Sequence, residues 1–335
     1  MDWSVYKAFW EKYLQETAST ETLLTNDPNR MKGYHAYATL ATLLRYVEIE
    51  HLRDMRIVDY GCGTGRLARL IAPFCRHLTL VDVSVEALME CRRRFGHLPH
   101  VEYRLVDGSD WVIPEAVDHV YSYAALIYFS DADSFWRTIE RIDGRAGTFS
   151  IHLHNAIHEA PHMTAYPGAC KELHTAKFYR PSPATLLDRY PSESAGRYAV
   201  EWHEPDVRGK DPFFYKTSQA FSSSTPGVGP FPKCTREQLD KFLCKEAEHW
   251  YASGDSSKAL DLLLELAGAG TESWEVYNNL GVIAFDRSNV DLAITCFKTA
   301  VSKGYPAEAV SNLETVLRSL GKEPEDRLVA KPLGS

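Results

Sequence analysis

The sequence lacks the features of a membrane protein and of a small disulfide-bonded domain. No apolar run approaches the roughly 18 residues that a spanning helix needs. The longest run, Tyr123 to Phe129, is typical of one buried strand and its exit. The seven cysteines are odd in number and include no C-x-x-C pair, which predicts reduced thiols and a cytoplasmic protein. Charged residues interrupt the N-terminal segment, so no signal-peptide core is expected.

An excess of positive charge is also missing. The net charge is −8 and the isoelectric point is near 5.9, whereas binding to nucleic acid phosphates requires a basic face. This balance argues against a general nucleic-acid binder, and neither nucleic acid nor a membrane is expected as a partner. With 335 residues, 44% hydrophobic and 24% charged, the chain is typical of a globular protein of about two domains.

Three patterns divide the chain. Residues 1–55 predict an N-terminal helical cover, because aromatic residues recur there at helical spacing. Residues 56–221 alternate strands and helices, which predicts an α/β fold. Its doubly wound, Rossmann-like sheet should be parallel and covered on both faces, with an antiparallel hairpin at its edge. Residues 222–234 are rich in Ser, Pro and Gly and predict a linker.

Residues 235–321 contain an internal repeat. Small residues stand where two helices would cross, with large ones between them. Going back 34 residues from Ala293 gives Ala259, and the same step from Phe297 gives Leu263. We therefore expect an all-α, tetratricopeptide-like C-terminal domain, followed by a tail over 322–335. A plain bundle of helical hairpins is the alternative. The residues that match the repeat are Tyr277, Leu280, Gly281, Phe285, Ala293, Phe297 and Ala300.

The most specific motif is D-Y-G-C-G-T-G over 59–65, which follows the predicted strand Arg56–Tyr60 and begins a predicted helix over Gly65–Phe74. Glycines there let the backbone turn tightly and approach a ligand closely. Asp82 ends the next predicted strand, where a carboxylate can accept two hydrogen bonds from a ribose diol. Arg66 occupies the position of the third glycine of a dinucleotide fingerprint, so the loop departs from that pattern.

With these motifs, residues 30–221 resemble the class I S-adenosylmethionine-dependent methyltransferases. The resemblance implies S-adenosyl-L-methionine as the cofactor, with the glycine loop along its methionine moiety and Asp82 on its ribose hydroxyls. It also implies that an acid after the third strand meets the adenine amine and that the exit of the fourth strand borders the methyl group. The implied cofactor-binding residues are Asp59, Gly61, Cys62, Gly63, Gly65, Asp82, Val83, Asp107, Gly108, Ser122, Tyr123 and Tyr34.

A hydroxyl acceptor would need a general base, whereas a neutral amine or a thiolate need not have one. Many members of the family that act on small molecules carry a histidine pair after the fourth strand, and this chain has Ile127-Tyr128 there. The base is therefore expected at the end of the fifth strand, which should face the ligand crevice. Histidines at and after the end of this strand are the candidates. Two alternatives stay open: the histidines are core and loop residues, or they bind a metal with Glu159. The candidate catalytic residues are His154, His152 and His158, with no metal assigned.

The sequence thus predicts an S-adenosylmethionine-dependent methyltransferase that methylates a hydroxyl of a small molecule or of a glycan sugar by in-line transfer. One alternative is a protein methyltransferase that recruits its target through the repeats. Another is an interaction protein that binds the cofactor without turnover. The expected partners are a small-molecule or glycan acceptor and, through the repeats, a protein or a second copy of the chain.

Overall fold

The chain divides into two units, residues 1–235 and 236–335. Its structure is a computed structural model. Side chains of residues 183, 204–206, 209 and 210 are not described. The described residues are 39–106, 113, 117–126, 129, 131–153, 181, 183–190, 197–206, 209–217, 233–268 and 271–321.

A seven-stranded sheet forms the centre of the first unit. Its strands are β1 (Arg56–Tyr60), β2 (His77–Asp82), β3 (Val101–Leu105), β4 (Val117–Ser122), β5 (Ala146–His152), β6 (Tyr198–Asp206) and β7 (Gly209–Lys216). Their order is β3-β2-β1-β4-β5-β7-β6. The first five run parallel, and β7 runs antiparallel to both of its neighbours. The predicted Rossmann-like sheet and its antiparallel edge hairpin are therefore confirmed.

Helices connect the parallel strands. They are α1 (Val85–Phe95), α2 (Ala132–Arg145) and α3 (Pro183–Arg189). Ser84 caps α1 by accepting a hydrogen bond from the N–H of Ala87, and Asp131 caps α2 by accepting one from Ser134. Apolar residues of α2, including Phe135 and Trp136, pack in the same core cluster as buried residues of β1, β4 and β5. This helix therefore covers one face of the sheet.

The other face of β7 contacts the segment 39–54. This segment is helical over 39–43 and forms a 3₁₀ helix over Ile49–Asp54. The hydroxyl of Tyr215 donates a 3.1 Å hydrogen bond to the carbonyl of Thr42. The ring of Tyr46 meets the Tyr215 ring edge-on, with centroids 5.1 Å apart. The carbonyl of Arg45 accepts hydrogen bonds from the N–H groups of Lys233 and Cys234. Both ends of this unit's described chain are thus fixed together.

The helix predicted over Gly65–Phe74 is not regular, and that prediction is wrong in kind. The segment forms consecutive turns around a 3₁₀ helix over Ala68–Leu70. Backbone hydrogen bonds join residues three apart and residues four apart. Examples are Leu70 N–H to Leu67 O at 3.1 Å and Ala72 N–H to Ala68 O at 2.7 Å. Nearly every residue from 67 to 72 is buried, so packing on all sides replaces the one-sided pattern of an amphipathic helix.

The second unit is all-α in its described part. Gly281 lets two of its helices approach closely, because a Cβ atom there would lie 2.6 Å from the ring of Phe297. Across the described residues of both units, no helix combines the length and apolarity that crossing a membrane requires. The five helices are α4 (Arg236–Ala252), α5 (Ser256–Gly268), α6 (Trp274–Asp286), α7 (Val290–Ser302) and α8 (Ala307–Ser319).

Candidate active site

The strand order locates a crevice between β1 and β4. From β1 the chain builds outward through β2 and β3, and it then returns to add β4 and β5 on the opposite side. In open parallel sheets, ligands bind outside the carboxyl ends of the strands at such a reversal. Asp59 of β1 lies beside Tyr121 of β4 in the sheet register. The loops after these two strands are therefore the candidate site.

At two positions, the loop after β1 has room for glycine and for no larger residue. Gly61 has a φ of +76°, and a Cβ atom there would lie 2.1 Å from the Cβ of Ala125 in the loop after β4. Gly65 has a φ of +80°, and its added Cβ would lie 2.5 Å from the ring of Phe95. Left-handed backbone is strained for other residues. The loop after β1 therefore approaches the loop after β4 at Gly61, and α1 at Gly65, only because glycine stands at these positions.

Gly63 and Asp82 join this loop to the end of β2. The Gly63 N–H donates a 2.8 Å hydrogen bond to Oδ2 of Asp82, and the Ser84 N–H donates one of 2.9 Å to Oδ1. A Cβ atom on Gly63 would meet none of the described residues within 4 Å, so that part of the structure leaves space beside this part of the loop. Shielding from water raises the pKa of Asp82, and the backbone N–H groups oppose that rise. Val83, the next residue, packs against the core.

Asp59 lies under the loop and is only 2% exposed. The hydroxyl of Tyr121 donates a 3.0 Å hydrogen bond to its Oδ2. Burial raises the pKa of Asp59 to about 7; the Tyr121 hydrogen bond opposes the rise, the charge of Asp82 adds to it, and the charge of Arg66 opposes it. This carboxyl group therefore exchanges its proton near neutral pH.

Cys62 supports the loop through its side chain. The thiols of Cys62 and Cys91 both donate to the carbonyl oxygen of Gly63, at 3.4 and 3.2 Å. Burial, together with the neighbouring Cys91, raises the pKa of Cys62 well above its usual value. The group therefore remains a neutral thiol, which is a poor nucleophile.

The exit of β4 forms the opposite wall. Ser122 is fully buried, and its hydroxyl has no hydrogen-bond partner in the part of the chain that the structure describes. Tyr123 is 7% exposed, with the guanidinium of Arg66 5.8 Å from its ring centre. Ala124 has a φ of +56°, which is unusual for a residue other than glycine. Its N–H donates a 3.2 Å hydrogen bond to Nδ1 of His152.

His152 has both ring nitrogens engaged. Because Nδ1 accepts from the Ala124 N–H, the ring proton resides on Nε2, which donates to Oδ2 of Asp211 at 3.1 Å. The ring is 2% exposed and lies 4.5 Å from the ring of Tyr123. In this arrangement His152 has no nitrogen available to take a proton from an acceptor. The other predicted residues of the site, which lie outside the described residues, are Tyr34, Asp107, Gly108, His154 and His158.

Sequence reasoning missed Asp211 and Tyr121. Asp211 is far from His152 in sequence and reaches it only because β5 pairs with β7, with His152 opposite Phe213. The alternation in D-H-V-Y-S-Y over 118–123 does contain a signal for Tyr121, because residues two apart share one face of a strand. Among the residues described, no group of three or more His, Cys, Asp or Glu side chains could hold a metal ion.

Comparison with known proteins agrees with this geometry. Residues 57–144 match the family described as a methyltransferase domain. Phosphoethanolamine N-methyltransferase 1 of Caenorhabditis elegans is 23% identical over 130 residues, covering 38% of this chain and 26% of that protein. Malonyl-[acyl-carrier protein] O-methyltransferase of Acetivibrio thermocellus is 31% identical over 108 residues, covering 30% of this chain and 38% of that protein.

A solved structure gives a weaker likeness. The N-methyltransferase NodS of Bradyrhizobium japonicum, in complex with S-adenosyl-L-homocysteine, superimposes with a TM-score of 0.45 and 13% identity. That superposition covers 62% of this chain and 97% of that one. The two curated relatives above are matched over 26% and 38% of their own lengths, well under half. The family match spans β1 to α2 and includes the glycine loop, Asp82 and the exit of β4. Residues 57–144 of this chain are therefore similar to a methyltransferase domain.

Proposed function

We propose that this protein transfers a methyl group from S-adenosylmethionine to a small-molecule acceptor. The observation that carries the proposal is the junction of Gly63 and Asp82 at the reversal of strand order. Asp82 is partly exposed, and each of its oxygens, already bonded to one N–H, can accept another hydrogen bond. The buried hydroxyl of Ser122, unpartnered among the described residues, adds a polar group at the opposite wall. These residues fit a polar ligand that carries a ribose.

The roles of the residues follow from the chemistry. S-adenosylmethionine supplies a methyl group on a positively charged sulfur, which is already activated for attack. The protein must therefore bind the two reactants, align the acceptor atom with the methyl group and exclude water. We assign the ribose hydroxyls to Asp82, the methionine moiety to the loop 61–65 above Asp59, and the wall beside the methyl group to Ser122 and Tyr123. Asp107 and Gly108 remain our candidates for contact with the adenine. Tyr34 remains our candidate for contact with the amino-acid end of the cofactor.

The acceptor atom depends on whether a base is available. A hydroxyl of a small molecule or of a glycan sugar is our first candidate, with His154 or His158 as the base. A neutral amine is the second candidate. The engaged ring of His152 favours it, because an amine needs no histidine at that position. One matched relative is named as an N-methyltransferase and another as an O-methyltransferase, so both classes belong in the test.

A transfer assay with the full chain tests this proposal. The chain is incubated with S-adenosylmethionine that carries a labelled methyl group, together with a panel of amino alcohols and another of sugars and other alcohols. If a hydroxyl is the acceptor, His154→Ala or His158→Ala should lower turnover by about 10²–10⁴ while cofactor affinity stays unchanged. If an amine is the acceptor, turnover should persist in both variants. Cofactor binding without transfer to any acceptor would support the non-catalytic alternative.

We further propose that α4–α8 are tetratricopeptide-type repeats that recruit a protein acceptor, another protein or a second copy. A hydrogen bond between positions 34 residues apart supports the repeat: Nδ2 of Asn312 donates to Oδ1 of Asn278 at 2.9 Å. At a spacing of 35 residues, Nδ2 of Asn279 donates to Sγ of Cys244 on α4 at 3.2 Å. The close packing of Gly281 on Phe297 supports the crossing of a repeat's two helices. A pull-down with the second unit as bait, compared with the first unit alone, tests the recruitment.

A further inference from the structure

Ala124 holds a backbone conformation that needs support. Its φ of +56° lies in the left-handed region, where a side chain with a Cβ atom is strained. Such strain persists only when surrounding contacts fix it. The residue lies where β4 ends and the loop along the crevice begins. Any group that holds Ala124 therefore also sets the course of this loop.

His152 is the group that holds it. Its Nδ1 accepts the Ala124 N–H at 3.2 Å, and its Nε2–H donates to Asp211 at 3.1 Å. Rings on two sides fix the plane of the imidazole, with Tyr123 4.5 Å and Phe213 5.0 Å from its centre. Asp211 comes from β7, the strand that pairs with β5, so this neighbouring strand orients the ring. The tautomer is thereby set, and the acceptor nitrogen points at the backbone.

The effect reaches the glycine loop after β1. Ala125 is the residue after Ala124. Its Cβ atom lies only 2.1 Å from the position that a Cβ atom on Gly61 would take. Tyr123, the residue before Ala124, lies between His152 and the guanidinium of Arg66, which follows the glycine motif. The residues on both sides of Ala124 therefore contact the loop that we assign to the cofactor.

We propose that His152 is a positioning residue: with Asp211 it holds Ala124 in the left-handed conformation and so keeps the exit of β4 against the cofactor loop. This inference rests on the proposed function, since it assigns that loop to S-adenosylmethionine. It replaces the role of base for this histidine. The cofactor affinity of the protein then depends on a hydrogen bond to a residue that does not touch the cofactor.

The test separates hydrogen bonding from ring packing. His152→Phe keeps an aromatic ring in place and removes both hydrogen bonds. We expect it to weaken binding of S-adenosylhomocysteine, measured by calorimetry, by about tenfold, as the loss of one buried hydrogen bond implies. Adding Ala124→Gly to His152→Phe should restore most of the affinity, because glycine adopts a positive φ without support. Asp211→Ala gives a second route if His152→Phe fails to fold, because the side chain of Asp211 is 14% exposed. This variant should weaken binding of S-adenosylhomocysteine by a few-fold.

The matched control is His119→Asn. His119 is another buried histidine of the same sheet, 1% exposed, with Nδ1 2.8 Å from Oγ1 of Thr148 and no described contact with either loop. Its variant should bind S-adenosylhomocysteine within about twofold of the unchanged chain. Parental affinity in His152→Phe, or no recovery on adding Ala124→Gly, would overturn the inference. Failure of the unchanged chain to bind would instead contradict the proposed function, so the two failures are distinguishable.

Discussion

The N–H of Gly63 donates a 2.8 Å hydrogen bond to Oδ2 of Asp82, and this bond fastens the loop after β1 to the end of β2. The Ser84 N–H holds the other oxygen, so the carboxylate has one orientation. The remaining lone pairs of both oxygens can accept further hydrogen bonds, and β2 ends at the same edge of the sheet as β1. A single side chain thus shapes the loop and offers acceptors to a ligand.

Asp82→Ala should abolish most cofactor binding. Two charge-assisted hydrogen bonds at about 1.5–3 kcal/mol each correspond to a loss of at least a hundredfold in affinity. Calorimetric titration with S-adenosylhomocysteine measures it. Glu102→Ala is the control, because Glu102 lies on the neighbouring strand β3 and pairs with Arg104 near the surface. Affinity of the Asp82 variant within a few-fold of the parent would contradict the assignment.

Gly61→Ala should disrupt the contact between the two loops. The new methyl group would lie 2.1 Å from Ala125 in backbone with a φ of +76°, which costs roughly 2–5 kcal/mol of unfolding free energy. Gly144→Ala is the matched control. An added Cβ there meets nothing within 4 Å in the part of the chain that the structure describes. The change lies inside α2, so it should be neutral or stabilise by up to about 1 kcal/mol. Urea unfolding of both variants gives the comparison, and equal effects would exclude the contact.

Asp59→Asn should change how stability depends on pH. Burial raises the pKa of Asp59 to about 7, whereas the unfolded chain has the usual value near 4. Between these values the folded state binds the extra proton, so this group's contribution to stability is lost as pH rises from about 4 to 7. The asparagine can still accept from Tyr121 and carries no charge. The free energy of unfolding of the variant should therefore rise relative to that of the parent as pH increases, by roughly 2–4 kcal/mol at pH 8. Urea unfolding at pH 5 and pH 8 measures this gain, and a difference independent of pH would be the contrary result.

A chain that ends at Thr235 should fold and bind the cofactor. The two units divide between Thr235 and Arg236. Ending there retains Lys233 and Cys234, whose N–H groups bond to Arg45, and the 2.6 Å ion pair of Lys233 with Glu48. S-adenosylhomocysteine affinity should match that of the full chain, while transfer to the true acceptor or the oligomeric mass should fall. A chain that ends at 224 is the comparison, since it lacks those contacts and should melt at a lower temperature. Aggregation of the longer piece would show that the helices of the second unit are required for folding.

Local pattern was enough to predict most of the sheet. The strand over Arg56–Tyr60 has the bounds that the sequence pattern predicted. The glycine loop lies beside Asp82, as the motif spacing implied. These features depend on residues that are close in sequence. The role of His152 does not, because its partner Asp211 is brought to it by strand pairing and its other contact depends on the φ of Ala124. The segment after Gly65 was misread for a related reason, since burial on several sides leaves no helical stripe.

The carbonyl of Arg45 accepts from both Lys233 and Cys234, and this has a consequence for protein synthesis. The first unit is closed by a contact between its first and last described segments, so it cannot be completed until residue 234 has left the ribosome. Contacts so distant in sequence slow folding, because a long loop must close before they form. Helix α4 begins at Arg236, directly after that closing segment. Translation of the second unit therefore supplies the time, and the emerging length of chain, in which the first unit closes.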